Sequence, residues 1–536
     1  MIKAENTKDL LVLFVVGVIV WLAYFGVNFI GLVAPDALYY ASIARNLVRG
    51  DGYHANVISP ILLSYLGTNA FVPLVNPPLF PYLLALLFKI GGVSSWAPAL
   101  ATSFFYLVSV IPLYLISIRL FGRSGAVITS LVYLFEPTML YLSISGLTEP
   151  VFICFLLMGF LFLLLFFEDE KWVYGFLTGV CIGLCKLIRF NANVFIIAIA
   201  VALIIFLKER RVRAVGLFAV GVILVNVPEL IRFSAVKTQS LTAGLLNYGA
   251  IDGTDQYPLT TLGRILNPMT SWEYIRTFPR DFLYKYIDNL FYYCKNFFTM
   301  TNPIITAFFT VSLFSFKNDR MARPFLFIIG LSILVQMVLI SYNIAIIRYF
   351  YVFIPFVIIF GVGYFFERIY EAKPSLTYKS FLMLLAIIFF LTTVRPHTIF
   401  ITGYRVLFRN YETKEALFVK QQRMIGDFVR EHTKKDDFIA TDFTSIGWYA
   451  DRKTLWLPIS FDVLETIDSK YKKVDAILVT SASDVKDVTK LTGVAKNLVE
   501  WKNILDNPPE RWGKYVLFKQ GDIRGEKFVF YKREGG

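Results

Sequence analysis

Residues 10–33 read LLVLFVVGVIVWLAYFGVNFIGLV, with no charge anywhere in the run. A helix needs about 20 predominantly apolar residues to cross bilayer hydrocarbon, so this run is predicted to span a membrane. It is long and uninterrupted and lacks the small-residue cleavage site of a secretory leader, so it reads as a retained helix. Working outward from it, similar runs recur along a chain of 536 residues that is 56% hydrophobic and 17% aromatic, with a mean hydropathy of +0.60. The fold class expected is a polytopic α-helical membrane protein of about 11 to 13 transmembrane helices with a C-terminal soluble α/β domain. Crossings are predicted near 9–33, 96–119, 124–142, 150–167, 172–189, 194–207, 213–233, 300–316, 324–341, 349–367 and 378–396. The run 79–88 is too short for a clear span, and Pro77-Pro78 before it cannot sit inside a helix. It is therefore read as a juxtamembrane or re-entrant helix.

A net charge of +14 would suit nucleic acid in a soluble protein. In a membrane chain the excess of Lys and Arg sits in cytoplasmic loops and sets orientation, so no nucleic-acid partner is expected. Arg119 and Arg123, the loop 208–213 and the loop 317–323 fall on the side of the N-terminus, which makes that side cytoplasmic. The other face then collects the loops 34–95 and 237–299 and everything beyond about 397, in a protein of the cytoplasmic membrane. The domain expectation is a transmembrane part over 1–399 and a soluble extracytoplasmic α/β domain over 400–536. Within the latter, 412–431 has helical periodicity, and strands are predicted at 438–441, 454–457, 476–479 and 527–531. Cys154, Cys181, Cys185 and Cys294 show neither a disulfide framework nor zinc spacing.

The polar loop after the first run opens Pro35-Asp36-Ala37-Leu38-Tyr39-Tyr40 and sets a carboxylate at a membrane surface. Asp36 suits two compatible roles: N-cap of a helix over 38–48, and general base toward an acceptor hydroxyl. Ionisable groups at a membrane edge are costly and default to function. On the same face they are Glu149 in Gly146-Leu147-Thr148-Glu149-Pro150, Lys186 and Arg189 at the end of the fifth span, and Arg348 in Ile347-Arg348-Tyr349. Lys186 and Arg189, three apart, are predicted to share a helical face, and either can also snorkel to lipid headgroups. Two acids and three bases at one membrane face describe a site for an anionic lipid substrate beside a proton acceptor. The aromatic loop 237–299, with Asp252, Asp255, Trp272, Tyr274, Asp281 and Tyr284, reads first as a bilayer anchor and second as a sugar-stacking surface. His54, His397 and His432 are too scattered for a metal triad, so no metal site is predicted; a divalent cation at a donor phosphate stays open.

The order of these motifs resembles the GT-C superfamily of glycosyltransferases. It runs from Pro-Asp-x-x-Tyr-Tyr-x-x-x-Ala-Arg after the first span to Pro-Pro-Leu, Thr-Glu-Pro, an Arg closing a later span, and Arg-Tyr before a Pro-containing span. The nearest branch is the one holding protein O-mannosyltransferases and the aminoarabinose transferases of lipid A. The resemblance covers most of 9–396. It implies a sugar donor on a polyprenyl phosphate, an acceptor hydroxyl on a glycolipid or protein, inverting transfer on the outer face of the membrane, and Asp36 as catalytic base, with no required cofactor. Where the family often has an acidic pair, this chain has Asp36-Ala37. Where the aminoarabinose transferases tend to have Lys before Pro-Pro, it has Asn76, so the donor-phosphate role passes to Lys186, Arg189 and Arg348. Glu149, Tyr39, Tyr40, Asn76 and Tyr349 are assigned to substrate binding. The Trp-Trp-Asp signature of oligosaccharyltransferases is absent, which disfavours en bloc transfer to asparagine. The rival class is a polytopic lipid or sugar transporter or flippase. Transporters carry internal repeats with broken helices near the midplane, and no repeat is legible here.

Overall fold

Apolar runs that must satisfy their own backbone hydrogen bonds in lipid fold as helices, and this chain does so in a computed structural model. It describes residues 4–67, 71, 76–207, 210–235, 248–258, 261–315, 321–371, 414–442, 444–481 and 492–535. Among the described residues six helices are long and apolar enough to cross a membrane: Glu5–Asn28, Trp96–Phe135, Glu149–Asp169, Arg211–Ile231, Ala322–Ser341 and Ile347–Phe366. Trp172–Lys186, Ala192–Phe206 and Pro303–Ser315 are shorter apolar helices. The longest run is broken at Gly122, whose φ of 71° is left-handed, so it supplies two of the expected crossings. Every crossing expected before residue 372 thus finds a helix; the one expected at 378–396 lies outside the described residues.

Boundaries differ where local chemistry intervenes. The first helix stops at Asn28, leaving Phe29, Ile30 and Gly31 as connection. The crossing expected at 124–142 is interrupted at Glu136, whose buried carboxylate accepts the Met139 N–H at 2.8 Å and caps a new helix, Pro137–Ile144. Trp172–Lys186 packs against Arg211–Ala235 with backbones close together. A Cβ on Gly179 would lie 2.1 Å from the Phe218 carbonyl oxygen, and one on Gly221 2.4 Å from that of Phe176. Small residues at such crossings let transmembrane helices approach closely.

Leu79–Gly91 forms the short helix expected after Pro77-Pro78. Phe80, Leu84 and Phe88 are buried while Tyr82, Leu86 and Ile90 are exposed, an apolar stripe with spacing of four that suits contact with lipid. Pro279–Phe297 is amphipathic in the same sense: Lys285, Asn289, Tyr293 and Phe297 are buried, and Leu283, Tyr284, Ile287 and Phe291 are exposed. The exposed stripe fits the bilayer-anchor reading of that loop.

Among the described residues, six strands of the C-terminal part and one from the loop after the first span build a seven-stranded mixed sheet in the order β1-β3-β2-β4-β7-β6-β5. Its strands are β1 Val57–Ile58, β2 Phe438–Thr441, β3 Lys453–Trp456, β4 Ala476–Thr480, β5 Arg511–Trp512, β6 Tyr515–Ile523 and β7 Glu526–Arg533. The four strands predicted correspond to β2, β3, β4 and β7; β1, β5 and β6 were not foreseen. β2 and β4 are buried along their whole length, as parallel strands covered on both faces are. β1 comes from the loop after the first span and pairs with β3, so this loop and the tail fold as one unit. A second seam is Arg264, 1% exposed, which pairs with Asp442, donates to the Leu457 carbonyl at 3.0 Å and covers the Trp456 ring at 4.8 Å.

Candidate functional site

Ion pairs mark the two ends of the helical bundle. At one end Arg123 holds Asp9 at 2.7 Å and Glu5 at 3.2 Å, Arg119 faces Glu168 at 3.4 Å, and Arg210 pairs with Glu170. At the other end lie Asp36, Glu149, Arg189 and Arg348.

The helix carrying Asp36 runs Pro35–Arg49, starting earlier than the sequence pattern suggested because Pro35 presets the first-turn φ. Ala34 is the N-cap and no side chain caps the helix, which corrects the N-cap reading of Asp36. The carboxylate instead turns to Arg348 and pairs with it, while its place in the first turn keeps it near the positive helix end. Glu149 opens the helix Glu149–Asp169 after a tight turn at Gly146, φ +70°. A Cβ there would lie 2.9 Å from Leu32 Cδ2, 3.1 Å from Pro98 Cβ and 3.3 Å from Ala37 Cβ. This glycine therefore brings the Glu149 turn against the helix that carries Asp36.

Arg189 does not share a helical face with Lys186 as predicted. The helix ends at Lys186, and Arg189 lies in the turn beyond it, donating to Glu149 Oε1 at 2.7 Å and Thr148 Oγ1 at 2.9 Å. Its guanidinium stands over the Tyr349 ring at 5.6 Å. Arg348 Nε comes within 2.9 Å of the same Glu149 oxygen, so Arg348 bridges the two carboxylates. Glu149 is fully buried, and the Asp36 side chain is half exposed. The buried acid is thus flanked by two guanidinium groups, while the acid at the surface is reached by one.

The segment that carries Arg348 is itself clamped. Asn289 donates to the carbonyls of Ser341 at 3.0 Å and Asn343 at 2.6 Å. The Tyr293 hydroxyl donates to Ile344 O at 2.8 Å and accepts the Ile346 N–H at 3.0 Å, and Gln336 donates to Tyr349 O at 2.6 Å. The span expected at 349–367 consequently begins as a 3-10 turn, Ile347–Phe353, before the helix Ile354–Glu371.

Tyr40 is buried, with Asp36, Arg189 and Glu149 near enough for their charges to act on it, and its hydroxyl meets the Asn76 side chain. Burial, reinforced by Asp36, pushes its phenol up to about 12. Tyr39, also raised by burial and then by Tyr40 and Asp36, stands edge-on to Tyr40 at 6.3 Å. Asn76 also accepts at its backbone from the Tyr53 hydroxyl at 3.1 Å. Lys186 is half-buried, with no side-chain hydrogen bond or ion pair among the described residues. Next to it, the Leu187 carbonyl accepts the Leu79 N–H at 2.9 Å, placing Lys186 close to Pro77-Pro78.

The structure therefore gathers Asp36, Glu149, Arg189, Arg348, Tyr349 and Tyr40, with Asn76 and Lys186 at the Pro-Pro corner. Sequence reasoning passed over Thr148, Tyr141 and Asn191. Tyr141 lies near Arg348 and Glu149, and Asn191 presents both side-chain polar atoms buried and without hydrogen bonds among the described residues. An amide two residues beyond a membrane-edge Arg was the available signal. Among the described residues no group of three or more His, Cys, Asp or Glu gathers to hold a metal.

Comparison with known proteins yields three findings. The family model described as dolichyl-phosphate-mannose-protein mannosyltransferase matches residues 75–231. The structure of ArnT from Cupriavidus metallidurans bound to undecaprenyl phosphate is similar at a TM-score of 0.57 and 12% identity, covering 97% of each chain. The archaeal oligosaccharyltransferase AglB from Archaeoglobus fulgidus, in complex with an inhibitory peptide and a dolichol-phosphate, is similar at 0.54 and 13%, covering 90% of this chain and 70% of that one. No curated protein sequence matches the chain. At such identities the likeness establishes the fold alone: this chain shares the architecture of these two structures, a helical membrane part followed by a β-containing domain.

Proposed function

We propose that the chain is an integral membrane glycosyltransferase that moves one sugar from a polyprenyl-phosphate donor to an acceptor hydroxyl. The observation that carries this reading is the Asp36–Arg348–Glu149–Arg189 cluster at one end of the bundle, with Lys186, which has no side-chain partner among the described residues, at the Pro77-Pro78 corner. Support also comes from the fold shared with an ArnT bound to undecaprenyl phosphate and from the partial match to a mannosyltransferase family. The two acids and two guanidiniums balance, so the cluster alone offers an anion no net charge. Lys186 adds the positive charge that a phosphodiester needs.

In this mechanism the donor phosphate lies against Lys186 and draws Arg348 toward itself. That loosens the Asp36 pair and leaves the half-exposed carboxylate to take the acceptor proton. The acceptor oxygen attacks the anomeric carbon from the face opposite the phosphate, the glycosidic C–O bond to phosphate breaks, and the polyprenyl phosphate departs with its electron pair. Lys186, Arg348 and Arg189 stabilise the charge that grows on it. Glu149 holds both guanidiniums in place, and Tyr349, Tyr39, Tyr40 and Asn76 line the approach. The acceptor is a glycolipid or a protein hydroxyl on the extracytoplasmic face of the cytoplasmic membrane. The positive charges come from side chains, so the reading calls on no resident cofactor.

Purified protein in liposomes, given donor with a labelled sugar, tests this. Transfer or hydrolysis of the label supports the enzyme, and movement of intact donor across the bilayer without bond cleavage sinks it in favour of a flippase. Within the enzyme reading, Lys186→Gln is expected to raise the donor KM by about tenfold, consistent with loss of one charge-assisted contact of about 1.5 kcal/mol. An unchanged KM would remove Lys186 from the phosphate site.

A further inference from the structure

A cavity of about 790 Å³ opens where the first span ends and the helix Trp96–Phe135 begins. None of Asp36, Glu149, Arg189 or Arg348 lines it, so it is separate from the site above. One wall is the far end of Pro35–Arg49, with Arg45 and Arg49; another is the C-terminal domain's helix Lys414–His432, with Lys420, Arg423 and Arg430. Against these five cations stand two carboxylates, Asp427 and Asp451.

Both carboxylates are already engaged. Asp451 accepts two bonds from Arg49, each 2.9 Å, and meets Arg45 at 3.1 Å, while Asp427 holds Arg430 at 2.7 Å. Arg423 is exposed and has no hydrogen bond or ion pair among the described residues. Arg45 is only 4% exposed, yet its Nε–H is buried without a hydrogen-bond partner among the described residues. Buried donors are normally satisfied, and an anion in the cavity would satisfy this one.

The rim is of the opposite character. Phe29 and Trp96, with ring centres 5.4 Å apart, and the exposed Val93 edge the cavity. Beyond Val93, the exposed stripe of Ile90, Leu86 and Tyr82 continues along the helix Leu79–Gly91. Aromatic side chains at the ends of membrane helices mark the headgroup level, and clustered Lys and Arg there attract anionic lipid. A free phosphate would use the cations and leave the apolar rim without a role, whereas a phospholipid uses both.

We propose that this cavity binds the phosphate headgroup of an anionic phospholipid from the leaflet at that end of the bundle, with its acyl chains lying along the apolar stripe. The bound headgroup bridges Arg45 and the Arg423 wall, so membrane lipid helps hold the C-terminal domain against the membrane part.

The test is native mass spectrometry of the full chain, delipidated in detergent and titrated with phosphatidylglycerol, phosphatidylcholine or inorganic phosphate. Wild type is expected to retain phosphatidylglycerol in preference to phosphatidylcholine, and millimolar inorganic phosphate is expected not to displace it. The variant Arg423→Glu changes an exposed position with no hydrogen bond or ion pair among the described residues, and should lose that preference by about tenfold while its melting temperature in detergent is unchanged. Equal retention of the two lipids by wild type, an unaltered preference in Arg423→Glu, or displacement by inorganic phosphate would each overturn the proposal.

Discussion

The two ends of the helix Pro35–Arg49 carry ionic clusters of different design. At the N-terminal end Asp36, Arg348, Glu149 and Arg189 balance in charge, with one acid fully buried and the other half exposed. Toward the C-terminal end, about 14 to 20 Å along the axis at 1.5 Å per residue, Arg45 and Arg49 converge on the single carboxylate of Asp451, and the cavity lining there carries more cations than carboxylates. A balanced cluster holds its members in register and yields one of them to a substrate; an excess of one sign recruits a counter-ion. On the two proposals above, the same helix separates a site for chemistry from a site for attachment.

The largest way to break the first cluster is Glu149→Ala. Removing the anion leaves two guanidinium groups facing each other, Arg189 only 10% exposed, and a buried pair broken on one side costs about 3–5 kcal/mol. The melting temperature in detergent should fall accordingly, and no change would mean that Glu149 does not organise the site. Gly146→Ala comes next. Its left-handed backbone and the 2.9 Å approach to Leu32 predict a loss of about 1–3 kcal/mol, with weaker donor binding because the Glu149 turn is displaced from Ala37.

The smallest effect sharpens the second cluster. Burial works to raise the Asp451 carboxyl, but the bonds from Arg49 and the charges of Arg45, Arg49 and Arg452 outweigh it and hold the group below its ordinary range. A carboxyl with a depressed folded-state pKa contributes stability that is complete above the unfolded value, about 3.9, and is lost as pH falls through the folded one. Asp451→Asn, or acidification below about pH 4, should therefore loosen the seam by about 1 kcal/mol. Hydrogen exchange in the helix Thr444–Ala450 should quicken while the membrane helices are unaffected.

Much of the membrane architecture could be read from the chain because length and hydropathy are local properties. So could the identity of Glu149, Arg189 and Arg348 as membrane-edge charges. Their pairing could not. Arg348 lies 312 positions from Asp36, and nothing in either neighbourhood specifies the other. The placement of Arg189 beyond a helix end was missed because residues three apart look like helical neighbours until the helix stops at Lys186. β1 escaped notice since two residues, Val57 and Ile58, carry no period, and only their pairing with Thr454 and Leu455 makes them a strand. The basic cavity was hidden for a similar reason. Arg45 and Arg49 on one helix and Lys420, Arg423 and Arg430 on another each resemble ordinary solvated helix charges, and only the fold sets them around one space.

The central claim is that Asp36 is the base of a sugar transfer rather than a structural partner of Arg348. The most direct measurement is donor binding and single-turnover transfer by Asp36→Asn, side by side with wild type. The account predicts donor affinity preserved and transfer reduced by at least about 10²-fold, the contribution of a positioned general base. Normal turnover by the variant would contradict it.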